Sequence, residues 1–158
     1  MATAHVNIGS NLGDSRSLIE RAVAGISLLP HVVSVRRSGF IESEPWGYES
    51  THRFLNIGLG LTVNYGAEEL FGDLMEIQCN ICADSHRNAA GGYADRMIDI
   101  DLIYYDDLVL DTATLTLPHP RMHLRDFVLQ PVAELAPAWR HPRLHLTAGE
   151  MLAALKDK

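Results

Sequence analysis

Two carboxylates, Asp99 and Asp101, alternate with large apolar residues in a segment that we expect to form a β-strand. Successive side chains of a strand point to opposite faces, so the carboxylates are neighbours on one face while Ile100 and Leu102 lie on the other. At a half-buried site their repulsion costs about 2 to 4 kcal/mol unless a cation lies between them. Because hard oxygen ligands suit Mg²⁺, the pair indicates either a magnesium site or the solvated outer face of an edge strand.

A second group of polar side chains lies in the segment 118–127, which contains His119, Arg121, His123, Arg125 and Phe127. The planar guanidinium of arginine matches phosphate oxygens, and histidine can donate a hydrogen bond to a bridging or leaving oxygen. The segment can therefore face a triphosphate that the two aspartates hold through a metal. The alternative is a solvated basic turn that precedes a helix.

The strand predicted at 54–63 has one unusual face. Every second residue from Leu55 to Val63 is aliphatic, which is typical of a strand with one buried face. The opposite face carries one aromatic ring, one amide and two residues without side chains: Phe54, Asn56, Gly58 and Gly60. That shallow surface either accepts a flat ring or packs beneath a helix.

These residues need a scaffold of strands and helices to bring them together. Apolar spacing and turn signals predict strands at 5–8, 32–41, 54–63 and 97–105, and helices at 15–29, 67–82, 125–135 and 148–155. A short segment at 108–110 is expected to return and pair with the strand at 97–105. The order β-α-β-β-α-β predicts an α+β ferredoxin-like core with C-terminal helical additions.

Length and composition narrow the class of protein. The 158 residues suit a single domain, 1–158, and a net charge of -7 argues against nucleic-acid binding, which needs a clustered basic surface. The sequence has neither an apolar stretch of membrane-spanning length nor an N-terminal signal, so we expect a cytoplasmic protein that does not bind a membrane. Cys79 and Cys82 are expected to be buried helix residues rather than zinc ligands.

Four motifs, taken together and in order, resemble a known family over nearly the whole chain. They are the segment 7–13, NIGSNLG; the segment 54–56, FLN; Arg96-x-x-Asp99-Ile100-Asp101-Leu102; and Pro118-His119 followed by Arg125-x-Phe127. The chain resembles the 6-hydroxymethyl-7,8-dihydropterin pyrophosphokinase family, also called 2-amino-4-hydroxy-6-hydroxymethyldihydropteridine diphosphokinase. The resemblance implies transfer of the terminal diphosphate of ATP to the pterin hydroxymethyl group, with release of AMP, in folate biosynthesis.

The resemblance also implies roles for individual residues. Asp99 and Asp101 would hold two Mg²⁺ ions that bridge the ATP phosphates, while Arg96, His119 and Arg125 would contact the phosphates and stabilise charge as the bond between the α and β phosphates breaks. The pterin would be bound by Ser43, Pro45, Trp46, Phe54, Asn56, Tyr93 and Phe127. ATP would also contact Glu76, Arg87 and Arg96, whereas Leu102 receives no assigned role.

The chain departs from the family pattern before the paired aspartates. It has Asn80-Ile81-Cys82 where the family usually carries Gly-Arg, so Arg87 is the expected substitute, and Tyr93 stands in place of the usual tryptophan. We expect the loop at 84–94 to close over both substrates and exclude water. The missing arginine favours a non-catalytic pterin or nucleotide binding module as the alternative, and a metal-dependent phosphohydrolase is a third possibility.

Overall fold

The computed structural model describes residues 1–11, 14–43, 54–86 and 98–156. Its first elements in chain order are β1 (Ala2–Ser10), α1 (Ser15–Ser27), β2 (Val32–Arg37), β3 (Ile41–Ser43), β4 (Phe54–Val63), α2 (Ala67–His86) and β5 (Asp99–Tyr105). In the described ranges these strands form one antiparallel sheet in the order β2-β4-β1-β5, and β3 pairs with the other end of β4. The predicted α+β ferredoxin-like fold is confirmed.

Helices α1 and α2 cover one face of this sheet. Strand side chains on that face are fully buried aliphatic groups such as Ile8, Leu59 and Ile100, and they pack with Ile19 of α1 and Leu74 of α2. Each such side chain contributes roughly 1.5 to 3 kcal/mol to stability when it is removed from water. This core fixes β1, β4 and β5 side by side and so determines which residues meet on the opposite face.

The opposite face is covered by the C-terminal part of the chain. Two short strands, β6 (Leu110–Asp111) and β7 (Thr116–Leu117), are followed by a 3-10 turn at Met122–Leu124 and by helices α3 (Asp126–Leu135) and α4 (Ala148–Lys156). A second buried cluster joins Ile103 of β5 to Met122, Val132 and Met151. The predicted C-terminal helices are therefore present, and α3 lies directly on β4.

The glycines of β4 allow α3 to approach closely. A Cβ atom on Gly58 would collide with Pro131 and would lie 2.8 Å from the ring of His5, and Gly60 lies beneath Leu135. The half of the face that carries these two glycines therefore packs under a helix, and only the half with Phe54 and Asn56 remains for a ring.

The strand predicted at 32–41 is divided in two. Between β2 and β3, Ser38 donates its backbone N–H to the Gly58 carbonyl at 2.9 Å, and its Oγ atom accepts from the Gly58 N–H at 2.8 Å. A side-chain oxygen thus replaces one backbone acceptor in the ladder, which interrupts the strand without leaving the Gly58 N–H unpaired.

The prediction that the segment 108–110 pairs with β5 was wrong. Leu110 and Asp111 instead pair with Leu117 and Thr116. The chain leaves β5 at Asp106, whose N–H still bonds Thr3 of β1 at 2.7 Å, and the outer edge of β5 receives the His119 N–H at the Ile103 carbonyl, also at 2.7 Å. That edge is therefore occupied by a later part of the chain.

The two cysteines of α2 differ in their exposure to solvent. Cys79 is exposed because it lies on the solvent side of α2, so the prediction that it is buried was wrong. Cys82 is half-buried, with its Sγ atom 3.9 Å from the Ile98 carbonyl.

Across residues 1–11, 14–43, 54–86 and 98–156, no helix is both long and apolar enough to cross a membrane.

Candidate active site

Three neighbouring strands bring their polar residues to one end of the sheet. Gly9 of β1 pairs with Asp99 of β5 on one side and with Asn56 of β4 on the other. Asn7 is placed in the same way between Asp101 and Gly58. Because directly paired residues of antiparallel strands place their side chains on the same face, the carboxylates and the Asn56 amide share a surface.

Gly9 forms the floor between these two groups. A Cβ atom at this position would lie 2.8 Å from the Oδ1 atom of Asn56 and 3.5 Å from the ring of Phe54. Since real Cβ atoms do not approach an oxygen so closely, any larger residue would displace Asn56. The missing side chain leaves a continuous surface from the carboxylates of β5 to the amide and ring of β4.

Asp99 and Asp101 are partly exposed and lie next to cationic groups. Burial lowers the pKa of Arg125, Asp101 and Asp99 raise it, and the neighbouring Arg121 lowers it further. Arg125 remains protonated because guanidinium is not deprotonated in proteins. The pair therefore lies on the edge strand of the sheet, beside a cationic cluster at the start of α3.

Asp99 and Asp101 suit a cation that retains water molecules and substrate oxygens among its ligands. Within the described ranges, no group of three or more histidine, cysteine, aspartate or glutamate side chains is placed to hold a metal. Two carboxylates are what Mg²⁺ requires when it retains water and binds substrate phosphates, because this ion is rarely enclosed by protein ligands alone. Asp99 and Asp101 therefore fit Mg²⁺ delivered with a nucleotide better than a permanently bound zinc ion.

His119 is held in one orientation and one protonation state. Its backbone is fixed to β5 through the Ile103 carbonyl, and its Nδ1 atom accepts a hydrogen bond from the Arg121 N–H at 3.1 Å. Burial, with smaller effects from the charges of Arg125 and Arg121, lowers the pKa of His119 to about 4. At neutral pH the ring is therefore neutral and carries its proton on Nε2, which makes Nε2 a hydrogen-bond donor.

The candidate ring pocket consists of residues from β3, β4 and α3. The Nδ2 group of Asn56 donates to the Ser43 Oγ atom at 2.8 Å and to the Ile41 carbonyl at 3.3 Å. These bonds fix the plane of the amide, so its oxygen stays on the side of Gly9. Phe54 and Phe127 are both half-buried, and the Arg125 guanidinium lies 5.8 Å from the centre of the Phe127 ring.

The structure does not describe all of the predicted site residues. Five of them lie outside the described ranges: Pro45, Trp46, Arg87, Tyr93 and Arg96. Glu76 is exposed on α2, which packs on the opposite face of the sheet from the aspartates. The predicted lid at 84–94 also falls mainly outside the described residues.

Two residues contribute to the site without having been assigned a role from the sequence. Gln78 of α2 accepts the Ile100 N–H at 2.7 Å and so supports β5 between Asp99 and Asp101. Asn7 donates from Nδ2 to the Phe127 carbonyl at 3.3 Å. Asn7 is part of a quoted motif, whereas Gln78 carries no sequence signal beyond its place on a helix.

The chain matches one protein-family model over most of its length. The model of 7,8-dihydro-6-hydroxymethylpterin-pyrophosphokinase matches residues 5–137. The chain belongs to this family. The predicted function, that of a pyrophosphokinase of folate biosynthesis, is thereby confirmed at the level of the family.

Individual relatives agree with this assignment. A 2-amino-4-hydroxy-6-hydroxymethyldihydropteridine pyrophosphokinase of Porphyromonas gingivalis is 35% identical over 144 residues, which are 90% of this chain and 95% of the relative. An enzyme of the same name from Aquifex aeolicus is 32% identical over 142 residues, covering 90% and 85%. A third, from Bacillus subtilis, is 31% identical over 132 residues, covering 84% and 77%.

A solved structure shares the fold. The wild-type HPPK-DHPS of Plasmodium falciparum superposes with a TM-score of 0.71 at 12% identity, over 97% of this chain. The chain spans 44% of that longer protein. At this identity the likeness shows that the pyrophosphokinase fold is shared, and it carries nothing about individual site residues.

Proposed function

We propose that this chain transfers the terminal diphosphate of ATP to the hydroxymethyl group of 6-hydroxymethyl-7,8-dihydropterin. The pterin hydroxyl oxygen forms a bond to the β phosphorus, the bond from that phosphorus to the oxygen bridging the α phosphate breaks, AMP leaves, and the hydroxyl proton is released. The observation that supports this most strongly is the continuous surface at Gly9, with a carboxylate pair on one side and an aromatic and amide pocket on the other.

Asp99 and Asp101 are the residues that would hold magnesium, as two ions. Bound Mg²⁺ supplies charge that neutralises the phosphate oxygens. The carboxylates would fix the position of these ions, because they lie on a strand that is hydrogen-bonded along one edge to β1 and at Ile100 to Gln78.

The cationic side of the site binds the phosphates. Arg125 offers a planar pair of N–H donors, and neutral His119 offers its Nε2–H, which donates to a phosphate oxygen without needing to lose a proton. In a site shielded from water these donors favour the charge that develops as AMP leaves. Arg96 and Arg87 are proposed as further ATP contacts, whereas Glu76, exposed on α2 across the sheet from the aspartates, is not part of this set.

The pterin lies against β4 and α3 in this proposal. Phe54 and Phe127 would bracket the flat ring, and the amide of Asn56, fixed by Ser43, would bond its polar edge. Pro45, Trp46 and Tyr93 would complete the pocket. Separate places for the ring and for the phosphates allow both substrates to be held for in-line transfer.

The test is an assay for AMP with ATP and Mg²⁺, with and without the hydroxymethyl pterin. The expected result is AMP and pterin diphosphate in equal amounts, formed only when both substrates and Mg²⁺ are present. Phosphate release without pterin would indicate a phosphohydrolase. Binding of both ligands without any product would indicate a binding module, and either of these results contradicts the proposal.

A further inference from the structure

Asn7 is a buried polar residue on the same sheet face as the carboxylates. It is 4% exposed and stands in the register between Asp101 and Gly58. Its side chain interacts with the neighbouring His5, and this interaction raises the pKa of that ring against the effect of burial. Its amide group Nδ2 donates a hydrogen bond to α3.

The acceptor of that donor is a carbonyl that its own helix cannot satisfy. In an α-helix the carbonyl of residue 127 accepts from the N–H of residue 131. Residue 131 of α3 is proline, which has no N–H. Asn7 Nδ2 donates to the Phe127 carbonyl at 3.3 Å and thus replaces the missing helix donor from the sheet below.

The same proline explains how a sheet side chain reaches the helix. Pro131 packs where Gly58 has no side chain, and a Cβ atom at Gly58 would collide with it. Asn7 and Gly58 are direct neighbours in the sheet. Asn7, Gly58 and Pro131 therefore form one interlock, which fixes the first turn of α3 on the sheet.

That turn carries two of the proposed substrate contacts. The carbonyl that Asn7 binds belongs to Phe127, and Arg125 is the N-cap residue immediately before α3, with its guanidinium 5.8 Å from the centre of the Phe127 ring. We propose that Asn7 is a positioning residue, which holds the Phe127 ring and the Arg125 guanidinium in place by supplying the hydrogen bond that Pro131 cannot. This inference rests on the proposed function, since it concerns how the proposed pterin and phosphate contacts are oriented.

The test removes the Asn7 donor and then supplies a backbone N–H from the helix in its place. Asn7→Leu removes Nδ2 and keeps a side chain that branches at Cγ. We expect the KM for pterin to rise and kcat/KM to fall by about tenfold, which is the range for one lost hydrogen bond to a buried carbonyl. Pro131→Ala returns an N–H at position 131, so the double variant should lie closer to the unaltered protein than Asn7→Leu does.

A second readout separates positioning from stability. The dissociation constant of pterin, measured with a non-hydrolysable ATP analogue, should increase with Asn7→Leu while the Mg²⁺ dependence stays unchanged. Arg36→Met is the matched control, because Arg36 also donates to a carbonyl of α3, that of Leu135 at 3.1 Å, but at the end of the helix away from Phe127. It should alter the melting temperature without altering pterin affinity.

Two results would overturn the inference: pterin affinity within twofold of the unaltered protein in Asn7→Leu, or no recovery when Pro131→Ala is added. If Asn7→Leu fails to fold, Pro131→Ala is compared with the double variant instead. The double variant should fold, because the N–H of residue 131 then replaces the donor that Asn7 supplied. Failure of the proposed function would give a different result. The unaltered protein would then bind pterin without forming AMP, and the pterin affinities of the variants could still be compared.

Discussion

At the scale of single residues, the charged and the apolar side chains of β5 lie on opposite faces of the sheet. Asp99 and Asp101 share their face with Asn7 and Gly9, while the alternate residues of β5 enter the apolar core. Substitution of either aspartate therefore changes charge at the surface of the site and leaves the packing beneath it unchanged.

Asp99→Asn and Asp101→Asn should each lower kcat by roughly 10²-fold or more, because an amide is a poor ligand for Mg²⁺. Circular dichroism and melting temperature should remain close to those of the unaltered protein. Asp107→Asn, at an exposed residue in the turn after β5, is the matched control and should keep full activity. Activity retained in both site variants would show that the metal assignment is wrong.

In the protein without bound substrates, His119 should be neutral between pH 5 and 8. Since its pKa is lowered to about 4, its protonated form accumulates only below that pH. The profile of kcat/KM for the free enzyme should therefore contain no limb from His119 between pH 5 and 8. His119→Gln, which keeps an N–H donor, should lose less activity than His119→Ala. A limb near pH 6.5 that disappears in His119→Gln would contradict this assignment.

At the scale of the elements, α3 connects the core to the site. Its C-terminal half packs on Gly58 and Gly60 of β4, and its first turn presents Arg125 and Phe127. Small residues in β4 therefore have a functional consequence, because they determine how closely this helix lies on the sheet.

Gly58→Ala should displace α3, since the added methyl group would collide with Pro131 and the His5 ring. We expect a loss of about 1 to 3 kcal/mol in the free energy of unfolding together with weaker pterin binding. Gly72→Ala is the matched control: its Cβ meets open space on α2, so the same substitution should stabilise by about 0.5 to 1 kcal/mol. Equal urea midpoints for the two variants would refute close packing at Gly58.

At the scale of the whole molecule, a buried histidine couples stability to acidity. His5 is fully buried beneath α3, and this burial lowers its pKa from 6.5 to about 4, opposed in part by Asn7. The unfolded chain therefore binds a proton at higher pH than the folded chain. The contribution of neutral His5 is complete above pH 6.5 and decreases as the pH falls towards 4.

The free energy of unfolding should fall by about 3 kcal/mol across this interval through His5 alone. Urea titrations at several pH values would measure the slope, which His5→Phe should reduce. His145→Asn, at an exposed histidine, controls for the loss of one histidine. An undiminished slope in His5→Phe would place the acid sensitivity elsewhere.

Much of the fold could be predicted from local sequence because its signals are local. The alternation in β4 and the helical spacing of α1 and α3 each describe one element, and the described elements follow them closely. The pairing of β6 with β7 could not be predicted, since it depends on which distant residue occupies the outer edge of β5. Asn7 received no role from the sequence because its partner, the Phe127 carbonyl, is distant in sequence. That carbonyl lacks a donor from its own helix only because residue 131 is proline.

The candidate site was predictable as residue types and as a resemblance, whereas its arrangement was not. The sequence did not decide whether the face of β4 accepts a ring or packs under a helix, and in the structure it is divided between the two at Asn56 and Gly58. The tautomer of His119 depends on the backbone of Arg121, which no motif specifies. The division of the β4 face arises from tertiary contacts, and the tautomer of His119 arises from a local turn between residues 119 and 121.

The most direct test of the central claim follows both transferred phosphates. The protein is incubated with ATP labelled at the β and γ phosphorus, Mg²⁺ and the hydroxymethyl pterin, and the products are separated. We predict that both labels move together onto the pterin, with one AMP formed for each. Label released as inorganic phosphate or pyrophosphate, or AMP formed in the absence of pterin, would contradict diphosphate transfer at this site.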